Sequence, residues 1–237
     1  MEPLQLENPR PEFKKKSVKS YVLRTSRITD RQKLAFKRYW INFGLSLYDG
    51  VFNSISQFGR SAPQVLEIGF GMGESLFEMT QLEPDKDFIG IEVHTPGVGR
   101  LINNAGVHAL KNLKVYMADA KDVLEDCIID SSLHRIQVYF PDPWHKKKHN
   151  KRRLIQAEFV EFMRSKLEVG GLLHLATDWE PYAEQMLNVM ENSAGYENLA
   201  GQGNYSKKPD FRPVTKFEFR GKRLGHKVRD LLYTRIS

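Results

Sequence analysis

The residues best equipped for chemistry in this 237-residue chain stand together at Phe140-Pro141-Asp142-Pro143-Trp144-His145. A single carboxylate, Asp142, lies between two prolines whose fixed φ angles stiffen the chain around it. An indole follows at once. Then comes Lys146-Lys147-Lys148-His149-Asn150-Lys151-Arg152-Arg153, six cations in eight positions. An acid beside a large aromatic and that density of positive charge predicts a chemical site next to a surface that holds a polyanion. On local sequence alone Asp142 could also be a turn former between prolines. Trp144 could pack or stack, and His145 has no assigned role.

A second group of acids recurs with a regular spacing. Apolar runs end at or near Glu67, Glu92, Asp119, Asp142 and Asp178. The first of them leads into Gly69-Phe70-Gly71-Met72-Gly73. Glycines at this point let backbone approach a ligand closely, and an acid some 20 residues on can accept from ribose hydroxyls. A dinucleotide fingerprint would space its glycines GxGxxG, and a P-loop would follow them with Lys-Ser/Thr; neither is present. Glu67, two residues before Gly69, disfavours a phosphate and suits a cation. S-adenosylmethionine meets these terms, with a ribose for Glu92, an adenine amine for Asp119 and a positive methionine moiety near Glu67. His94, His108 and His149 show no ligand spacing, so no metal site is expected.

The elements that must position these residues alternate in period. Strands are predicted over 64–69, 87–93, 113–118, 135–140 and 172–176. Helices are predicted over 74–81, 97–110, 122–129, from an Asn150 cap to about 167 (ended by Gly170-Gly171), and from Pro181 to about 190. Such alternation implies a Rossmann-like, doubly wound α/β fold, in which ligands bind outside the carboxyl ends of a mostly parallel sheet. Residues 196–210 read as a loop. The alternating stretches 214–220 and 231–236 predict an antiparallel C-terminal hairpin at the sheet edge. Thr29 or Asp30 can cap a helix through Leu34, Ala35, Tyr39 and Trp40. Residues 1–40 are expected to form a basic, partly flexible arm and 41–237 a single domain.

These motifs carry a resemblance. The chain resembles the class I S-adenosylmethionine-dependent methyltransferases, and more narrowly the family of bacterial tRNA (guanine-N7)-methyltransferases, from about residue 60 to the C-terminus. The carriers are Glu67 to Gly73, Gly90-Ile91-Glu92, Ala118-Asp119-Ala120, Phe140 to Lys147 with the basic run, Thr177-Asp178 and Thr215-Lys216-Phe217-Glu218. The glycine turn is shared widely; the proline-flanked acid with its basic run and the late Thr-Lys-Phe-Glu are far more specific. The resemblance implies that Glu67, Gly69, Gly71, Gly73, Glu92, Asp119 and Asp142 meet the cofactor, with Asp142 catalytic. It implies that Lys146, Asp178, Thr215, Lys216, Phe217 and Glu218 meet the substrate, and that Lys148, His149, Asn150, Lys151, Arg152 and Arg153 meet RNA. The implied substrate is a guanine in the variable loop of tRNA.

Composition sets outer bounds. At 41% hydrophobic and 27% charged residues the chain is too apolar for disorder. No apolar run reaches the 18 or so residues of a membrane helix, so no membrane partner is expected. A single cysteine, Cys127, and the absence of an apolar core in residues 1–10 predict a cytoplasmic protein. Lys and Arg exceed Asp and Glu by 36 − 29 = 7, with positive charge concentrated in residues 10–38, 146–153 and 207–229. No obligate protein partner is implied, and monomer and homodimer both remain open. Two other function classes stay in view. A methyltransferase for another substrate leaves the basic run unused, and a non-catalytic RNA-binding module leaves the strand-end acids unexplained.

Overall fold

Five consecutive parallel strands carry the site: β2 (Gln64–Ile68), β3 (Asp87–Ile91), β4 (Leu113–Tyr116), β5 (Leu133–Tyr139) and β6 (Leu167–Thr177). The computed structural model describes residues 20–21, 27–214, 218 and 227–237. With β1 (Gly44–Leu45), β7 (Tyr196–Asn198) and β8 (Arg229–Arg235), the strands form one sheet of order β1-β4-β3-β2-β5-β6-β8-β7. β2 and β3 are almost wholly buried, as strands covered on both faces must be. Only β8 runs against the other strands, antiparallel to β6 on one side and to β7 on the other.

Helices cover both faces. α1 (Asp30–Phe43), α3 (Glu74–Leu82) and α4 (Thr95–Val107) pack on Val65, Phe88 and Val115. α5 (Ala120–Asp126), α6 (Ala157–Lys166) and α7 (Glu180–Glu191) pack on Leu66, Ile89, Ile136 and Leu173. The short α2 (Ser54–Phe58) precedes β2. A capping box between Thr29 and Gln32 starts α1, and the Gln32 side-chain amide donates to Pro96 O at 2.9 Å. α1 therefore crosses residue 40 docked on α4, with Gly99 and Gly106 of α4 placed where any Cβ would lie within 3.0 Å of Gln32 or Tyr39.

Three local expectations are corrected. Gly170-Gly171 does not end a helix; it forms a bulge within β6, where Leu133 and Arg135 of β5 face Leu167 and Leu172. Gly170 takes φ +84°, which only glycine adopts freely, so the strand absorbs extra residues without ending. The helix expected from Asn150 begins instead at Ala157, after a 3₁₀ turn over Lys147–Arg152. Tyr182 on α7 holds the intervening stretch, its hydroxyl accepting from Ile155 N. Finally, the edge partner of β8 is β7, within the stretch read as a loop. Of the partner expected over 214–220, only Val214 and Glu218 are described.

Candidate active site

Strand order reverses between β2 and β5, and at this switch point a cleft opens at the strands' carboxyl ends. Gly69, Glu92, Asp119 and Asp142 line it, with Ile68, Ile91, Val93, Ala118, Phe140, Pro141 and Leu154 supplying apolar surface. Three of the five strand-end acids, Glu92, Asp119 and Asp142, thus converge on the cleft, while Glu67 and Asp178 are not among the residues that line it.

The glycine turn forms one wall. Gly69, Gly71 and Gly73 have φ of +76°, +57° and +74°, a region that side chains strain to enter. A Cβ on Gly97 would meet Gly71 O at 1.8 Å, so α4 sits hard against the turn. Glu92 braces it: its carboxylate accepts from Gly71 N at 2.7 Å, Val93 N at 2.7 Å and His94 N at 2.9 Å. A carboxylate has about four acceptor positions, so Glu92 retains capacity for a donor from the cleft. Asp119 caps α5 through Lys121 N and also accepts from the Tyr21 hydroxyl at 3.2 Å.

Glu67 is placed differently. It is 2% exposed, sits behind the turn on Gln137 Nε2 at 2.8 Å, and is not among the residues that line the cleft. Burial pushes its pKa up to about 7, with nearby Glu92 adding to the rise and Gln137 and Arg135 opposing it.

Asp142 is exposed at the cleft, on a tightly held turn. Phe140 and Trp144 on either side adopt φ of +49° and +46°. Such geometry in bulky residues costs on the order of 1–3 kcal/mol each and concentrates at functional sites. Phe140 N donates to Ala176 O at 2.8 Å, and Arg153 Nε donates to Pro143 O at 2.8 Å. Arg153, expected among the RNA contacts, is only 4% exposed; its guanidinium also reaches Pro181 O and Gln185 and stacks 4.8 Å from the Tyr182 ring. It braces the Asp142 turn against α7.

Lys146, Lys148 and Lys151 are exposed, while His149, Asn150 and Arg152 are half-buried. Arg152 lies 4.1 Å over the Trp144 ring, whose Nε1 donates to Ser20 O at 3.0 Å. Desolvation, then the surrounding cations Lys148, Arg152, Lys146 and Lys151, lowers the His149 pKa, so the positive charge here is lysine and arginine charge. Asp178 is half-buried just past β6, and His145 meets the Trp179 ring edge-on at 4.4 Å. Glu218 is 2% exposed, held by Arg212; Thr215, Lys216 and Phe217 lie outside the described residues. No cluster of metal-ligating side chains occurs among the described residues. The sequence reading missed Arg212, His174, Asp230 and Tyr21. The only local sign was a polar residue interrupting each of two apolar runs, Gln137 and His174.

Residues 61–231 match the family model described as "Putative methyltransferase". A protein of Saccharophagus degradans named tRNA (guanine-N(7)-)-methyltransferase is 60% identical over 95% of this chain and 98% of its own length. The chain belongs to that family. A member from Marinobacter nauticus is 54% identical over 98% of both chains. Among solved structures, the 16S rRNA methyltransferase KamB shares the fold at a TM-score of 0.56 and 15% identity, over 76% of this chain and 91% of its own. The antibiotic-resistance methyltransferase Kmr does so at 0.52 and 15%, over 81% and 94%. No helix among the described residues is long and apolar enough to cross a membrane.

Proposed function

We propose that this protein transfers a methyl group from S-adenosylmethionine to N7 of a guanine in tRNA, in the variable loop, as a cytoplasmic enzyme. The observation that carries this reading is the convergence of Glu92, Asp119 and Asp142 on one cleft whose rim continues into the basic turn from Lys146 to Arg152. The cleft fits the cofactor: two carboxylates and the Gly69 backbone serve a ribose and an amine, and Ile91, Val93 and Ala118 offer a flat apolar wall to a purine.

The bound cofactor supplies a methyl group activated on a sulfonium. The protein's part is placement, since orienting two reactants can lower a barrier by roughly 7–11 kcal/mol. Guanine N7 attacks with a lone pair and has no proton to lose, so Asp142 need not act as a base. As the purine gains positive charge, the Asp142 carboxylate stabilises it electrostatically. The strained turn and Arg153 hold Asp142 still. Lys146, Asp178 and Glu218 contact the substrate, and the exposed cations of the turn hold phosphates.

Incubation with labelled S-adenosylmethionine and bulk tRNA, followed by nucleoside mapping, tests the proposal. The expected product is 7-methylguanosine at a variable-loop position. Label on another base, on protein or nowhere would overturn it.

A further inference from the structure

We propose that Arg212 is a positioning residue for the methyl acceptor, fixing the Glu218 carboxylate behind the Asp142 turn and anchoring it through Asp230 and His174 to the sheet. This rests on the reading of Glu218 as a guanine contact.

The sheet face that α1, α3 and α4 cover changes character towards the C-terminal edge. Glu67, Gln137 and His174 stand side by side on β2, β5 and β6. From there a continuous buried hydrogen-bond network runs outward. The Tyr139 hydroxyl is 2.8 Å from His174 Nδ1, and His174 Nε2 is 2.8 Å from Asp230 Oδ1. Burial lowers the His174 pKa, so the ring is neutral; Nε2 donates to Asp230 and Nδ1 accepts from Tyr139. Arg212 closes the network. Its Nε and Nη2 grip Asp230 at 2.7 and 2.9 Å, and its Nη1 donates to Glu218 Oε2 at 2.6 Å. The same guanidinium lies 5.8 Å from the Phe140 ring and 6.0 Å from that of Tyr139. It therefore touches the start of the Asp142 turn and the Glu218 carboxylate at once.

Buried ion networks stabilise poorly compared with apolar packing, so geometry is the stronger reason for one here. The fork of Arg212 sets the orientation of the Glu218 carboxylate, a group that offers acceptors only. Such a group suits the N1–H and 2-amine donors of guanine and disfavours adenine, whose N1 is an acceptor.

The test uses the full chain with S-adenosylmethionine and tRNA carrying either guanosine or inosine at the target, in Arg212→Lys, Glu218→Gln and the double variant. Arg212→Lys retains charge and loses the fork. It should bind S-adenosylmethionine within about twofold of wild type, lose about 30-fold or more in kcat, and narrow the guanosine-over-inosine preference. The double variant should fall no further than Glu218→Gln alone. Wild-type kcat in Arg212→Lys, or losses that multiply in the double variant, would overturn the positioning role while leaving Glu218 as a base contact. Wild-type kcat in Glu218→Gln would instead sink the underlying reading, and this one with it. Should Arg212→Lys not fold, Asp230→Asn removes the anchor and is judged by the same kcat, discrimination and non-additivity.

Discussion

Asp142 and Arg153 lie 11 positions apart in the sequence and do different work on one turn. If Asp142 supports developing positive charge, Asp142→Asn should leave S-adenosylmethionine affinity within about threefold and lower kcat on the order of 100-fold, the scale of removing one preorganised electrostatic partner. Calorimetry and single-turnover methylation measure the two separately, and near-normal turnover would end the electrostatic role. The basic turn is separable by salt. Each phosphate contact contributes a slope of about −0.7 in log K against log salt on single strands. Neutralising Lys148, Lys151 and Arg152 should flatten the slope by about 2. Arg153→Ala should leave the slope alone and lower both Tm and kcat, because its guanidinium spans Pro143, Pro181 and Gln185 inside the protein. A slope change for Arg153→Ala equal to that of its neighbours would return it to the RNA surface.

At the scale of elements, β2 carries the buried acid Glu67 behind the glycine turn. Its folded pKa, about 7 against an ordinary 4.5, is raised by burial. A raised acid pKa gives stability that is complete below about pH 4.5 and lost as pH climbs through about 7. Glu67→Gln removes that loss and can still accept from Gln137. The variant should match wild type near pH 4.5 and exceed it at pH 8 by up to roughly 3 kcal/mol. Denaturant midpoints at both pH values check this, and a constant difference would refute it. The same strand shows what a sequence discloses. Period and turn chemistry located β2 to β6 within two residues, apart from the N-terminal half of β6, because short, largely buried apolar runs bounded by polar or turn residues have few other solutions. The convergence of Glu92, Asp119 and Asp142 on one cleft followed from topology. What stayed hidden depends on distant partners. The bulge at Gly170 needs the register with β5, and the stretch before α6 is set by Tyr182 and Arg153. His174 meets Asp230 across 56 residues, with nothing local to announce the pair.

Across the whole molecule, the chain ahead of α1 reaches the far side of the cleft and is tied there twice. The Tyr21 hydroxyl donates to Asp119, and Ser20 O accepts from Trp144. Trp144 therefore couples three parts of the protein: the Asp142 turn on its own backbone, the N-terminal segment through Nε1, and the basic turn through Arg152 on its ring face. The two side-chain couplings can be cut separately. Trp144→Phe keeps an aromatic platform under Arg152 and removes the donor to Ser20. A net hydrogen bond is worth about 0.5–1.5 kcal/mol, so S-adenosylmethionine should bind about 2- to 10-fold more weakly, with the salt slope for tRNA unchanged. Trp144→Ala removes the platform as well. Arg152 then loses its orientation, and the salt slope should flatten by about 0.7 in addition. Equal S-adenosylmethionine affinity in wild type and Trp144→Phe would show that the tie to Ser20 does not shape the cleft. Equal salt slopes in both variants would show that Arg152 reaches phosphate without the indole beneath it.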